Sequence, residues 1–222
     1  EYCYANKINI FDTARNYDES ESIIGEFINK NKIKNSKIVT KFKLSNSKAL
    51  LSNYQDSYKK LKIKPWCVLL HDAKQYIDKN YREKLFNLKK KNNIKKIGVS
   101  VYTEKEILEI LKVKKPDVIQ LPINILDQKF IHNGLLKRIK NNNIEIHARS
   151  IFLRGLLYYK PSQIINIFPK IKKEIIFLHK IAQSNDISIG DLSLIWVSKI
   201  KEIDKIILGV SSTTDIKSNL LI

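Results

Sequence analysis

Short apolar runs alternate with amphipathic stretches along the chain, and this pattern predicts strands and helices in turn. The apolar runs are rich in β-branched residues and lack the strict polar alternation of a half-exposed sheet. They comprise residues 7–12, 37–41, 66–71, 96–100, 118–121, 145–149 and 205–208. Runs of this kind are typical of strands buried on both faces of a parallel sheet.

The segments between these runs have the periodicity of amphipathic helices. The predicted helices comprise residues 19–31, 81–91, 104–111, 130–141, 171–185 and 189–198. Asp18 and Glu21 have the spacing of a capping box before the first helix, and Thr103 is the predicted cap of the third. Strands that alternate with helices predict βαβ units with right-handed crossovers.

Polar residues near the ends of the predicted strands recur at a regular interval. This set comprises Asp12, Lys41, His71, Ser100, Gln120 and Arg149. The first four are 29, 30 and 29 residues apart, and the last two are again 29 apart. One βα unit takes about 30 residues, so these residues are expected at the same end of successive strands. The carboxyl ends of strands carry the active site of a strand–helix barrel, and the pattern therefore predicts an α/β fold, a (β/α)8 TIM barrel.

Seven strands are predicted, one fewer than a closed barrel of this type contains. Residues 2–6 have the pattern of the last turn of a helix, and residues 218–222 that of the beginning of a final helix. We therefore expect a single, partial barrel domain over residues 1–222. It would lack the first strand and most of the first helix, and it would end within the last helix. The sequence begins with Glu1 and contains no Met, as expected for an N-terminally truncated fragment.

The composition is that of an ordinary globular domain, with 43% hydrophobic and 28% charged residues. No apolar run approaches the roughly 20 residues that a membrane span needs. Cys3 and Cys67 lie far apart and outside any Cys/His cluster, so neither a disulfide framework nor a metal site is predicted. The first residues lack the pattern of a secretory signal. A cytoplasmic location without a membrane partner is the expectation.

The net charge of +19 has two readings. Clustered basic residues neutralise nucleic-acid phosphates, so nucleic-acid binding is one alternative. The lysines are dispersed near helix ends and loops, however, and lack the interleaved aromatics of a base-stacking groove. The sequence therefore favours a composition bias that assists anionic cofactors or substrates over specific nucleic-acid binding.

Several blocks of the sequence resemble, in order, the motifs of the aldo-keto reductase family. The family signature, with an Asp, a Tyr five residues later and a SExxxG helix, is similar to INIFDTARNYDESESIIGEFI. Its lysine, histidine, cofactor and glutamine strands resemble IVTK, VLLH, IGVSVY and VIQLPIN, and its phosphate-binding turn resembles LGVSSTTDIKSNL. HARSIFLRGLL is similar to a bacterial branch. The resemblance implies an oxidoreductase that reduces an aldehyde or ketone with NAD(P)H.

The resemblance also implies a catalytic group of Asp12, Tyr17, Lys41 and His71. Carbonyl reduction needs a proton on oxygen, and a free tyrosine, with a pKa of about 10, is a weak acid at neutral pH. A neighbouring ammonium favours the phenolate, so Lys41, held by Asp12, is expected to make Tyr17 a better general acid. His71 is expected to orient the carbonyl of a small-molecule substrate.

The cofactor is implied to be NADP(H), or alternatively NAD(H), extended across the barrel mouth, and no GxGxxG motif supports a Rossmann domain. The implied cofactor-binding residues are Ser100, Gln120, Arg149, Ser150, Gly209, Val210, Ser211, Ser212 and Asn219. Ser100 and Gln120 are expected to hold the carboxamide, and Arg149 to stack on the nicotinamide. Asp215 stands where some members carry an arginine for the 2′-phosphate, which favours NADH.

Phe42, Tyr102 and Phe152 each follow a strand end and are candidate walls of the substrate pocket. The alternative function is a catalytically silent barrel that acts as a binding or regulatory subunit, and the predicted missing strand favours it. The sequence predicts no particular oligomeric state.

Overall fold

The structure is a computed structural model that describes residues 1–33 and 35–221. By its internal contacts it divides into two compact units. The first unit contains Glu1–Gln120 and Ile139–Glu145, and the second contains Leu121–Arg138 and Ile146–Ile222. The single domain expected over residues 1–222 stays a prediction beside this division.

The described residues contain seven strands, one in each predicted run. Their bounds are β1 (Ile10–Asp12), β2 (Lys37–Phe42), β3 (Cys67–Leu70), β4 (Lys96–Ser100), β5 (Val118–Pro122), β6 (Glu145–Arg149) and β7 (Lys205–Ile206). β1 and β7 are shorter than predicted, and β4 and β6 agree with the prediction at both ends.

Twelve α-helices are found in the same residues. They are α1 (Tyr2–Ala5), α2 (Ser20–Lys30), α3 (Ala49–Leu61), α4 (Ala73–Ile77), α5 (Lys79–Asn92), α6 (Glu104–Ile110), α7 (Lys129–His132), α8 (Leu135–Lys140), α9 (Pro161–Ile167), α10 (Lys172–Ser184), α11 (Ile189–Ser198) and α12 (Thr213–Leu220). The helical turn predicted at residues 2–6 is confirmed as α1. The last helix begins at Thr213, five residues before the predicted position. No helix of the described residues is both long and apolar enough to cross a bilayer.

In the first unit, β1 to β5 pair in chain order and every pair is parallel. In a flat sheet, four steps between neighbouring strands would separate β1 from β5 by about 19 Å. The side chains of Asp12 on β1 and Gln120 on β5 are nevertheless joined by a 2.8 Å hydrogen bond. The sheet of this unit therefore curls, and its concave face brings residues of distant strands together.

The strands β2 to β5 are buried on both faces, as their apolar runs predict, whereas the residues of β1 are only partly buried. On one face, Ile38 of β2 packs with Ile28 of α2 and Leu61 of α3. On the other face, Val39 packs with Cys67 and other strand residues. Burial on both faces removes most of the apolar surface of these strands from water, which is the main favourable contribution to folding.

Two predictions about helix starts have opposite outcomes. Thr103 caps α6, since its hydroxyl accepts from the Glu106 N–H in a capping box. The box predicted from Asp18 and Glu21 is wrong, because α2 begins after Glu19 without a side-chain cap. Glu21 is buried instead and accepts hydrogen bonds from the hydroxyls of Thr40 at 2.7 Å and Ser57 at 3.0 Å.

The single helix predicted over residues 130–141 is also wrong, because it is divided into α7 and α8. Gly134 between them has a φ of +68°, outside the helical region. The Asn133 side chain accepts from the Leu135 N–H at 3.1 Å and satisfies a donor at the start of α8. An unfavourable backbone angle and a local cap therefore end the periodicity at this glycine.

In the second unit, β6 and β7 pair in parallel, with Ala148 opposite Ile206. Its helices pack around a cluster that includes Leu157, Leu178 and Ile189. α11 begins at a capping box of Ser188 and Asp191, so its first N–H groups are satisfied by side chains.

Candidate active site

The polar residues predicted at strand ends in the first unit lie at the carboxyl ends of their strands. Asp12 is the last residue of β1, Lys41 is next to last in β2, His71 directly follows β3, and Ser100 ends β4. The predicted common end of the strands is confirmed for these four residues. Backbone pairing, not side-chain contact, fixes this arrangement, because it follows from the parallel register.

The register of the strands explains how these residues reach a common level. Asp12 is opposite Val39, two residues before Lys41, and Lys41 is opposite Leu69, two residues before His71. The site residues thus advance two positions at each of these steps. Such an offset is what tilted strands require for side chains to stand at one height along a barrel axis.

Lys41 and Asp12 form a buried ion pair between neighbouring strands. The Lys41 ammonium contacts Asp12 Oδ1, and the two side chains are only 2% and 14% exposed. Asp12 Oδ2 accepts the 2.8 Å hydrogen bond from the Gln120 amide. Both carboxylate oxygens therefore have a donor, which offsets much of the cost of removing this charge from water.

Tyr17 and His71 lie next to this pair. The Lys41 ammonium is 5.2 Å from the centre of the Tyr17 ring. The rings of Tyr17 and His71 meet edge to face with centroids 6.2 Å apart. Tyr17 is 44% exposed, so a ligand in solution can reach it, while Lys41 behind it cannot be reached directly. The four residues of the predicted catalytic group are thus neighbours.

Ser100 and Gln120 are opposite each other in the pairing of β4 with β5, and both are 1% exposed. The Gln120 amide nitrogen is engaged with Asp12, and its carbonyl oxygen is a further acceptor. The two predicted carboxamide-binding residues therefore lie on neighbouring strands.

A cavity of about 340 Å³ opens beside His71 in the first unit. It is lined by Asn16, Lys43, His71, Asp72, Ala73, Tyr102 and Glu106. Of the three predicted pocket walls, Tyr102 lines this cavity. Phe42 is fully buried, and Phe152 is buried against the ring of Tyr158, at a centroid distance of 5.1 Å.

The remaining predicted cofactor residues belong to the second unit. Arg149 ends β6, and its guanidinium lies 3.4 Å from the hydroxyl of Ser150, which has a φ of +60°. Gly209 and Val210 are exposed, and a Cβ added to Gly209 would meet open space. Asn219 is buried and accepts a 3.1 Å hydrogen bond from the Tyr158 hydroxyl.

Ser211 and Ser212 lie at the start of α12, where their donors converge on one carboxylate. Asp215 Oδ2 accepts from both backbone N–H groups, at 2.9 and 3.0 Å, and from the Ser211 hydroxyl at 2.8 Å. These bonds lower the pKa of Asp215 to about 2. The Asp215 carboxylate thus accepts hydrogen bonds from the Ser211 and Ser212 donors that a phosphate would otherwise use.

Three features of the site were missed in the sequence. The contact between Gln120 and Asp12 depends on the curl of the sheet, which no local pattern records. Asn16 and Lys43 line the cavity but follow strands at unremarkable positions. Asn16 directly precedes Tyr17 and Lys43 follows Lys41 by two, but no pattern in the sequence distinguishes either residue from its neighbours.

The hydrogen-bonding groups of these residues can be compared with those of a nicotinamide dinucleotide. Buried amide and hydroxyl groups at Gln120 and Ser100 suit a carboxamide, which needs both donors and acceptors. The exposed hydroxyls and N–H groups of Ser211 and Ser212 suit phosphate oxygens in kind, although Asp215 holds them here. The residues therefore fit the cofactor in chemical kind, with two departures: Asp215 engages Ser211 and Ser212, and Ser100 and Gln120 are each only 1% exposed. Among the described residues, no group of three or more His, Cys, Asp or Glu side chains could hold a metal ion.

Solved structures share this fold at low sequence identity. An aldo-keto reductase from Bacillus halodurans in its holo form is 21% identical, with a TM-score of 0.81, over 99% of this chain and 78% of that one. A glycerol dehydrogenase from Gluconobacter oxydans is 20% identical, with a TM-score of 0.73, over 98% and 81%. These likenesses show the strand–helix barrel fold of aldo-keto reductases.

A third structure is an aldo-keto reductase from Klebsiella pneumoniae in complex with NADPH, 16% identical with a TM-score of 0.77 over 99% and 76% of the two chains. None of the curated proteins compared with the chain matches it. The sequence model of the Aldo/keto reductase family, in contrast, matches residues 1–222. The chain therefore belongs to the aldo/keto reductase family of NAD(P)H-dependent oxidoreductases.

Proposed function

We propose that this protein reduces the carbonyl group of a small aldehyde or ketone to an alcohol with NADP(H). One observation carries the proposal: an exposed tyrosine, Tyr17, lies beside a buried ammonium, Lys41, and a histidine, His71, at the strand ends. Family membership supports the reaction class, and the complex of the Klebsiella pneumoniae relative with NADPH supports the cofactor.

In the proposed reaction, Tyr17 gives its hydroxyl proton to the carbonyl oxygen as negative charge develops there. The Lys41 ammonium beside the ring stabilises the phenolate that remains, because opposite charges attract strongly where water is excluded. Asp12 holds Lys41 in place and balances its charge. His71 orients the carbonyl through a hydrogen bond from the wall of the cavity that it lines.

Ser100 and Gln120 would hold the nicotinamide carboxamide. When bound, NADP(H) would supply the hydride that reduces the carbonyl carbon. For the second unit, we propose that Arg149, Ser150, Gly209, Val210, Ser211, Ser212 and Asn219 contact the rest of the cofactor. Asp215 would have to release Ser211 and Ser212 before these could donate to a phosphate, and NAD(H) stays the alternative cofactor.

Kinetic measurement of the whole chain tests the proposal. NADPH and NADH oxidation would be followed with a panel of small aldehydes for the wild type and for Tyr17→Phe. We expect kcat to fall by about 10²- to 10⁴-fold in Tyr17→Phe, because a general acid contributes on this scale. Tyr159→Phe is the matched control, since Tyr159 is an exposed tyrosine outside the site. Turnover that Tyr17→Phe leaves untouched would reject the proposed role.

The second candidate is a catalytically silent barrel that binds a partner or regulates one. The engagement of Ser211 and Ser212 by Asp215 favours it, because those donors are already used. Absence of turnover with every aldehyde and both cofactors would favour this candidate over the first. A cytoplasmic location and the lack of specific nucleic-acid binding stay predictions of the sequence.

A further inference from the structure

We propose that the carbonyl substrate carries an anionic group, a carboxylate or a phosphate, which Lys43 and Asn16 bind at the wall of the cavity beside His71. This inference rests on the proposed function, because it names the substrate class of that same site.

The cavity wall is mostly polar. Apart from the ring of Tyr102 and the methyl group of Ala73, every lining side chain is charged or can form hydrogen bonds. Pockets that bind apolar ligands are lined predominantly by hydrophobic and aromatic side chains. An apolar aldehyde here would strip water from polar groups without replacing their hydrogen bonds, which costs free energy. The lining therefore favours a polar substrate.

Both carboxylates of the wall are engaged at the starts of helices. Glu106 accepts from the backbone N–H groups of Tyr102 at 2.7 Å and Thr103 at 3.0 Å, before α6. Asp72, the residue before α4, accepts from the Lys74 N–H in the first turn of that helix at 2.8 Å. Backbone donors at a helix start offset part of a negative charge. Asp72 and Glu106 therefore repel a bound anion less strongly than carboxylates without hydrogen bonds would. They also attract a neighbouring cation less strongly.

Lys43 is the lysine of the cavity wall. Lys43 is exposed, and among the described residues no side chain forms an ion pair or hydrogen bond with its ammonium. The side-chain amide of Asn16, on the same wall, likewise makes no hydrogen bond within the described part of the chain. An ammonium and an amide N–H are donors that match the oxygens of an anionic group.

The size of the cavity is compatible with a carbonyl at His71 and an anionic group at Lys43. A volume of about 340 Å³ lies at the lower end of the range of small-molecule pockets. A compact molecule with both groups, such as a carboxylated aromatic aldehyde, is therefore a suitable probe.

The test compares 4-formylbenzoate with its neutral isostere, 4-formylbenzamide. For each variant, the ratio of kcat/KM for the anion to kcat/KM for the amide is measured, so differences in general activity between variants cancel. We expect Lys43→Gln to lower this ratio about tenfold, because a charge-assisted hydrogen bond is lost. Lys43→Arg should keep the ratio close to that of the wild type.

Lys48→Gln is the matched control. It removes one positive charge from the same exposed loop but lies outside the cavity lining. With a net charge of +19, the chain attracts any anion from a distance, and Lys48→Gln changes this general attraction as much as Lys43→Gln does. A ratio that is unchanged in Lys43→Gln, or that falls equally in both variants, overturns the inference while leaving the proposed function intact.

If no aldehyde is reduced, the proposed function fails, and a measurement of ligand binding then tests the inference of an anion-binding wall. Affinities of 4-(hydroxymethyl)benzoate and 4-(hydroxymethyl)benzamide would be measured by saturation-transfer NMR with the wild type and Lys43→Gln. Tighter binding of the benzoate that disappears in Lys43→Gln supports anion recognition by this wall. Equal binding of the two alcohols overturns it.

Discussion

The ammonium of Lys41 lies 5.2 Å from the centre of the Tyr17 ring, and only the tyrosine is open to solvent. The charge that acts on the phenol is therefore held behind it, out of reach of water and of counter-ions. An ammonium in this position interacts with the ring more strongly than a solvated one would. This relationship determines what substitutions of the ion pair should do.

Lys41→Met should lower kcat by about 10²- to 10⁴-fold while changing the affinity for cofactor little, because in the proposed mechanism the ammonium acts on the proton donor, Tyr17. It should also destabilise the fold by about 3 kcal/mol, since the buried Asp12 carboxylate loses its partner. Steady-state kinetics, cofactor titration and urea unfolding measure these effects.

Asp12→Asn should likewise lower kcat much more than it weakens cofactor binding. The double variant Asp12→Asn/Lys41→Met should recover part of the stability lost in Lys41→Met, because no unpaired charge remains buried. Its activity should stay low. If the double variant were no more stable than Lys41→Met, the ion pair would not be the source of the loss.

Glu21 should contribute to stability through its two buried hydrogen bonds. Glu21→Ala leaves the hydroxyls of Thr40 and Ser57 without this acceptor, and we expect a loss of about 2–3 kcal/mol in the free energy of unfolding. Glu21→Gln keeps one acceptor oxygen and should cost about 1 kcal/mol. Urea unfolding of the two variants is the measurement, and equal losses would contradict the hydrogen-bond account.

Glu21 also shows why a local pattern can be misread. Its spacing from Asp18 is that of a capping box, yet its side chain points to β2 and α3, and only the packing of α2 reveals this.

The helix α3 was not predicted from the sequence for a related reason. Its buried face is Leu50, Tyr54, Ser57 and Leu61, so a polar serine interrupts the apolar periodicity where Glu21 needs a donor.

The parts of the site that were predictable depend on strand geometry. Lys41 and His71 follow from the thirty-residue repeat, because parallel strands of similar length end at one edge. The bond between Gln120 and Asp12 did not follow, since it spans the curl of the sheet. Lys43 could not be singled out, because one lysine among 41 basic residues carries no signal of its own.

Gly25→Ala should destabilise the protein strongly. A Cβ at this position would lie 2.0 Å from the carbonyl oxygen of Lys60, a backbone atom at the close contact of α2 with α3. The helices would have to separate, and overpacking of this kind costs about 1–3 kcal/mol or more. The measurement is the shift of the thermal unfolding midpoint. Gly209→Ala is the control, because its Cβ would meet open space.

The hydrogen bonds at Asp215 should depend on pH at the acid end of the scale. These bonds lower its pKa from about 3.8 to about 2, so the folded state holds the proton less tightly than the unfolded state does. The stabilisation is therefore complete above about pH 4 and is lost as the pH falls through about 2. The protection factors of the Ser211 and Ser212 amides, which compare the exchange rate measured by NMR with the intrinsic rate at the same pH, should fall in that window and stay constant between pH 5 and pH 7.

Asp215→Asn should shift cofactor preference towards NADPH. The substitution removes a negative charge that would repel a 2′-phosphate bound to Ser211 and Ser212, and NADPH carries this phosphate whereas NADH does not. The expected result is a several-fold rise in the kcat/KM ratio of NADPH to NADH, and no more than that, because solvent weakens the interaction of an exposed charge. A ratio that stays the same would place phosphate recognition away from Asp215.

The bond from Gln120 to Asp12 joins residues 108 positions apart in the sequence. On the ribosome Asp12 is synthesised long before Gln120, and at roughly 5–20 residues per second the interval lasts about 5 to 20 seconds. Closing so long a loop is entropically costly and belongs late in folding. During that interval the Asp12 carboxylate would be incompletely held, so the geometry of the proposed active site would arise only when the fifth strand docks.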